Sequence, residues 1–470
     1  MTFTEPRFFI LTAIVYLLWL TMRGHYRAQI ALLVLGSLIF YGAHRPWLLI
    51  LLLSYCLVNW GVGLWIAKRR RPRMALTCGV TWNLLVLAFW KYTPLLLGTF
   101  GGSEITPKNW IIPFGISFYA FTGIAYMVEV YRKRTPAEEE FWRYTLSTAF
   151  YPQLVAGPIL RPGDFLEKLT PEQFPTKGES HLEAIMLLGR GYFKKLVLAD
   201  RIALLIDPFF AHVADSSTEG VCSLIFIYLY AFQIYFDFSA YTDIARGLGL
   251  LFGYRWPENF FLPYLATSIQ QFWQRWHVTL STFLRDYLYV SLGGNRRGMI
   301  RTGCNLMLTM LLGGLWHGAS WSFLIWGGLH GFFLILHRIW SRLGFRSENL
   351  LWKGCCWLLT FHCICLAWCF FRLTRLNESL ICVKKCFVFN SENIVVGGLN
   401  DFSLWILLAS YGAVIWATQS LIQRAGDRNS GAIWYPAYRG FLWGGAIMLL
   451  LMALVLSPAG EKPPFIYFQF

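Results

Sequence analysis

The stretch "LLGGLWHGASW" puts His317 between glycines inside an apolar run, at what reads as a break in a helix. Ionisable groups at bilayer depth are costly, so an imidazole there argues for function. With an ordinary pKa of about 6.5, an imidazole is usable in either protonation state. It suits one job well, taking a proton from a hydroxyl whose oxygen attacks an activated carbonyl. A neutral histidine bonded to a backbone carbonyl is the competing reading. His277 lies in "QQFWQRWHVTLSTFLRDYLY". On a continuous helix Trp273, His277, Ser281 and Arg285 share one stripe, which suits a polar channel wall or a helix lying on a membrane surface. His330, in "WGGLHGFF", either supports His317 or is simply packed. Asp237 and Asp243, in "YFDFSAYTDIARG", have no second carboxylate at a fixed helical offset and read as partners of nearby Arg, Tyr or His groups. His25, His44, His181 and His337 fall in polar or interfacial stretches, His212 near a helix end and His362 within an apolar run, and none of them reads as catalytic. The last residues, "PPFIYFQF", are too apolar for a surface tail, and Tyr467 holds the only side-chain hydroxyl after Ser457.

The elements that must position these groups are apolar helices. Of the 470 residues, 56% are hydrophobic, 18% aromatic and only 14% charged, where a soluble chain would carry roughly a quarter charged. Many apolar runs approach the roughly 20 residues that span a hydrocarbon core. Backbone groups in lipid must be paired within their own segment, so the expected fold is an all-α polytopic membrane protein. The net charge of +16 sits in short loops such as "KRRRPR" and "RKR", the pattern of cytoplasmic loops beside crossings, and not in a nucleic-acid-binding domain. About twelve crossings are expected, at 8–22, 29–43, 47–67, 74–92, 111–131, 186–206, 221–240, 304–317, 322–340, 354–371, 402–422 and 441–456. Both termini then lie outside. The stretches 145–162 and 254–301 are broken by proline, glycine and charge and read as re-entrant or interfacial pieces lining a cavity. No Gly-x-Ser-x-Gly, His-Glu-x-x-His or Walker motif is present. The eleven cysteines follow no metal pattern. Cys382 and Cys386 could form a disulfide, although a four-residue helical spacing often serves no purpose. The first run lacks a small-residue cleavage site, so no cleavable signal is expected.

The motifs resemble those of the membrane-bound O-acyltransferases, in the bacterial branch concerned with alginate O-acetylation. The similar segments are "IPFGISFYAFTGIAYMVEVYR", "YPQLVAGPILRP", "FQIYFDFSAYTDIARGLGLLFGY", "FWQRWHVTLSTFLRDYLYVSLGGNRRG", "LLGGLWHGASWSFLIWGGLHG" and the ending "PPFIYFQF". Tyr151, where phenylalanine is usual, and Ala240, where glycine is common, depart from it. The resemblance implies one membrane domain over 1–470, a ring of 11 to 12 tilted helices around a tunnel. Residues 1–110 would supply N-terminal helices, 111–340 the catalytic core and 341–470 C-terminal helices with an aromatic tail at 465–470. His317 would be the general base and His277 its assistant, with Trp316, Trp276, Asp237 and His330 in support. The donor, acetyl-CoA, would dock on a basic cytoplasmic face near Arg275, Arg285, Asn295, Arg296 and Arg297. No tightly bound cofactor or metal is implied. Tyr467 would act as acyl carrier, although the tail could instead be a plug or an interfacial anchor. The partners implied are a periplasmic SGNH-type acetyltransferase similar to AlgJ or AlgX, a polysaccharide acceptor and the bilayer of a bacterial inner membrane, with the C-terminus periplasmic. The acceptor polymer could be an alginate-type exopolysaccharide, cellulose or peptidoglycan. Two other functions stay open on the sequence, a transporter or flippase for a lipid-linked saccharide and D-alanyl transfer to teichoic acid. The former predicts internal repeats, which are not seen.

Overall fold

The computed structural model describes residues 1–68, 70–100, 110, 112–155, 157–175, 181–214, 221–344, 348–388, 445 and 465–466. Contacts divide the chain into one unit of Met1–Ala184 with Ile244–Pro257 and a second of Ile185–Asp243 with Glu258–Phe470. The expected runs at 402–422 and, apart from Gly445, at 441–456 lie outside the described residues, as does Tyr467.

The first unit holds α1 (Pro6–Thr21), α2 (Tyr26–Gly42), α3 (Leu48–Ala67), α4 (Pro72–Leu87), α5 (Thr93–Phe100), α6 (Ile116–Tyr131), α7 (Phe141–Ala149) and α8 (Pro162–Glu167). Proline opens α1, α4 and α8, where the missing N–H would have had no partner anyway. The run expected from 111 starts helically only at Ile116, because Gly115 turns the chain with φ 71°. Inside the unit Asn83 Nδ2 donates to Asn59 Oδ1 at 2.7 Å, a polar tie between α4 and α3 of the kind that holds helices together in lipid.

The second unit takes in most of α9 (His181–Phe193), then α10 (Asp200–Ala211), α11 (Val221–Leu251) as far as Asp243, α12 (Ile269–Arg275), α13 (Val278–Phe283), α14 (Gly298–His317), α15 (Trp321–Arg342), α16 (Leu350–Arg372) and α17 (Leu376–Lys385). The run expected at 186–206 is not one regular helix; a π-helical turn, Lys194–Ala199, joins α9 to α10. Helix α11 continues well past 240. Among the described residues five helices are long and apolar enough to cross a membrane, and α11 differs from the rest: 89% of its apolar window is buried, against 28–44% for the others. Side chains such as Ile300, Leu350 and Leu351 stand more than three-quarters exposed on apolar helices, as expected where the solvent is lipid. Cys382 and Cys386 are free thiols and form no disulfide; Cys386 Sγ donates to the Cys382 carbonyl at 3.2 Å.

Helices α14 and α15 form a hairpin packed on glycine. A Cβ on Gly314 would lie 2.2 Å from the Phe323 carbonyl oxygen, and one on Gly327 2.3 Å from that of Met310. The backbones therefore touch, and the glycines flanking His317 in sequence act through packing as well as through the turn. Helix α14 ends at His317, Gly318 is extended, and Ser320 caps α15 by accepting the Phe323 N–H at 3.3 Å.

Candidate active site

His317, 6% exposed, closes α14 among aromatic rings: Trp316 at 4.7 Å, Trp326 at 5.1 Å and Phe371 at 5.0 Å between centroids. Trp316 also packs on His277 at 6.1 Å. The two imidazoles, forty residues apart in sequence, thus share one indole.

The stripe expected from continuous helical spacing does not form. Helix α12 stops at Arg275, Trp276 is extended, and His277 takes a left-handed conformation with φ 43° and ψ 55° before α13 begins. A side chain with a Cβ adopts this conformation only at a cost of about 1–3 kcal/mol, so the surroundings must enforce it. Asn259 does so. Its carbonyl accepts the Val278 N–H at 3.1 Å, and its Oδ1 accepts both the Thr279 N–H at 3.0 Å and the Thr279 hydroxyl at 2.9 Å. These N–H groups belong to the first turn of α13 and would otherwise be orphans. On the other side of the break Phe261 N–H donates to the Arg275 carbonyl at 2.9 Å.

The same oxygen orients the histidine. Because Thr279 N–H can only donate, the Asn259 atom facing it is the acceptor Oδ1. His277 Nδ1, 3.4 Å from that oxygen, therefore carries the proton, which leaves the Nε2 lone pair available. His277 is fully buried against Phe238, at 4.7 Å, and Phe260, and no protein group among the described residues bonds Nε2.

Trp273, Ser281 and Arg285, the other members of the expected stripe, line a cavity of about 720 Å³ together with Asn295. Its polar wall also includes Gln270, His337, Arg338 and Arg342. Arg338 and Arg342 are four residues apart near the end of α15, where they read in sequence as ordinary interfacial charges. Of the other donor-site candidates, Arg275 is half-buried at the end of α12, and Arg296 and Arg297 are exposed; none of the three lines the cavity. Leu306 and Met310 of the cavity and His317 recur at helical spacing along α14, so one helix face leads from cavity to imidazole.

His330 is fully buried and stands between these two regions, 5.1 Å from the ring of Trp273 and 4.7 Å from that of Trp326. Neither of its ring nitrogens has a partner among the described residues. Trp276 is buried at 5.0 Å from Phe260 and 5.1 Å from Trp368. Asp237 belongs to a buried charge cluster. Lys195 Nζ bonds Asp237 Oδ1 at 2.8 Å and Asp200 Oδ1 at 2.7 Å, while Arg190 and Lys194 both bond Asp243. The expected arginine partner is present for Asp243; the two lysines are unforeseen, and they come from the π-helical turn.

Comparison with known proteins identifies the family. Residues 110–377 match the model of MBOAT, the membrane-bound O-acyltransferase family. The chain is 34% identical over 467 residues to the probable alginate O-acetylase AlgI of Pseudomonas putida, covering 93% of this chain and 94% of that protein. It is 37% identical over 394 residues to the peptidoglycan O-acetyltransferase of Helicobacter pylori, covering 75% and 72%. Its identity to the teichoic acid D-alanyltransferase of Streptococcus thermophilus is 27% over 317 residues, covering 64% and 73%. By the family match and the extent of these likenesses, this polytopic helical chain is an O-acyltransferase and belongs to the membrane-bound O-acyltransferase family.

Proposed function

We propose that this enzyme takes an acetyl group from cytoplasmic acetyl-CoA and passes it across a bacterial inner membrane for O-acetylation of an extracytoplasmic polysaccharide. The observation that carries the reading is the pair of buried imidazoles on Trp316, joined by one face of α14 to a cavity lined by Arg285, Arg338 and Arg342. Guanidinium groups suit the phosphates of the donor. Acetyl is preferred to D-alanyl because the relatives named as O-acetylating proteins cover more of the chain at higher identity.

In this mechanism His317 takes the proton of an acceptor hydroxyl as its oxygen bonds the thioester carbon. His277, with Nε2 as the free acceptor, holds that hydroxyl in line. Collapse of the tetrahedral adduct breaks the C–S bond, and the imidazolium returns its proton to the departing thiolate. Tyr467 is the first acceptor. Its ester is then passed to a periplasmic SGNH-type transferase and on to the polymer, with the C-terminus on the periplasmic side.

The test uses purified enzyme in nanodiscs with isotopically labelled acetyl-CoA and mass measurement of the terminal peptide. Label on the peptide containing Tyr467, absent in Tyr467→Phe, is the expected result. An enzyme that releases CoA to an acceptor without ever labelling that peptide removes the carrier role. No CoA release at all, with turnover of a D-alanyl-charged carrier protein instead, removes the acetyl reading.

A further inference from the structure

The mechanism leaves unexplained why a charge cluster lies buried beside a histidine site. Three cations, Arg190, Lys194 and Lys195, pair with three carboxylates, Asp200, Asp237 and Asp243, and all six are nearly inaccessible. Burying ions is costly even when they are paired. Of these carboxylates, Asp237 also holds part of the C-terminal segment. Its Oδ1 is taken by Lys195, but its Oδ2 accepts the backbone N–H of Ile466 at 2.6 Å.

The same two residues hold the preceding side chain. Lys195 Nζ lies 4.4 Å from the centroid of the Phe465 ring, a cation–π contact, and Tyr241 meets that ring edge-on at 5.1 Å and 86°. Phe465 is 1% and Ile466 6% exposed, so the contact is an interior one. The residue following Asp237 on α11 is Phe238, whose ring packs on His277 at 4.7 Å.

We propose that the Asp237–Lys195 pair is a built seat for the C-terminal segment: the carboxylate grips the backbone of Ile466, the ammonium grips the ring of Phe465, and the segment is thereby fixed in register one helix position from the residue that packs on His277. The two grips do different work. A backbone N–H is the same at every position, so it gives affinity without choosing a register. The ring clamp narrows the choice, because only an aromatic side chain gains the cation–π contact and a shift by one residue would put Pro464 or Ile466 there instead. Lys195 is shared between the two functions, since its other protons bond Asp237 and Asp200 and hold the ammonium in place. Asp237 and Lys195 are accordingly positioning residues. Their part in turnover rests on the tail acting as acceptor, as proposed above; the seat itself does not.

Full-length enzyme in nanodiscs tests this, with tail release read by carboxypeptidase removal of Phe470 and Gln469, whose peptide bonds do not involve the altered position or its neighbour. Ile466→Pro deletes the donated N–H and leaves the charge cluster untouched; Ile466→Ala keeps the N–H. Loss of a hydrogen bond to a charged group is expected to speed trimming about tenfold or more in Ile466→Pro relative to Ile466→Ala, with the melting temperature of the body unchanged. Asp237→Asn should speed trimming as well, and Ile466→Pro should add little on top of it. Equal trimming of Ile466→Pro and Ile466→Ala would overturn the seat. Tyr467→Phe keeps both grips and should be trimmed at the parent rate although it takes no acetyl label, so failure of the carrier reading and failure of the seat give different results.

Discussion

Asn259 governs both the shape of the chain at His277 and the choice of its basic nitrogen. One side-chain oxygen accepts two bonds from Thr279 and faces His277 Nδ1. Asn259→Leu is therefore expected to lower kcat by about 10–100-fold, as loss of an orienting partner does elsewhere, while the KM for the thioester stays near its parent value. Asn259→Asp, which keeps the acceptor oxygen, should recover much of the loss. Steady-state kinetics on both variants checks this, and equal damage from the two would mean that Asn259 serves folding alone. At this scale the sequence was informative about His317, since glycines on both sides of an imidazole in an apolar run mark a break. It was misleading about His277. Period-four spacing from Trp273 to Arg285 suits an unbroken helix, and the residue that breaks it lies eighteen positions upstream, in "WPENFFLP", where no local periodicity points to it. An asparagine just ahead of two phenylalanines, in a segment bounded by prolines, is the signal that could have found it.

At the scale of elements, the α14–α15 hairpin sets where His317 sits. Its backbones meet at Gly314 and Gly327, with no room for a methyl group. Gly327→Ala should force the helices apart at a cost of about 1–3 kcal/mol, read as a lower melting temperature in detergent together with reduced turnover. An unchanged melting temperature would contradict the close contact. The positions of most helices were legible, because all ten expected runs within the described residues carry helix. The exceptions have physical causes. The charges of α11 are paired inside the protein, so the helix continues past Asp237 and Asp243. The π-helical turn, Lys194–Ala199, brings two adjacent lysines to carboxylates six residues apart on α11, an offset that helical periodicity does not suggest.

For the whole molecule, the question is how a charged donor and a dry site are kept in contact. Under the proposed function the cavity beside Arg285 would meet the first need and the aromatic enclosure of His317 the second. Replacing Arg338 and Arg342 together by glutamine should raise the KM for acetyl-CoA about tenfold or more, since two charge-assisted contacts are lost, and leave kcat within a few-fold. A change in kcat alone would place the donor elsewhere. These arginines were not distinguishable in sequence, since positive charges at a crossing's end are the default for orientation in the membrane. The most direct measurement is transfer by His317→Ala, reconstituted in nanodiscs, with folding checked by melting temperature and donor binding by titration with acetyl-CoA. The expected result is intact binding with acetyl transfer reduced by at least about 10²–10⁴-fold; transfer at the parent rate from a folded, donor-binding variant would contradict the central role given to that imidazole.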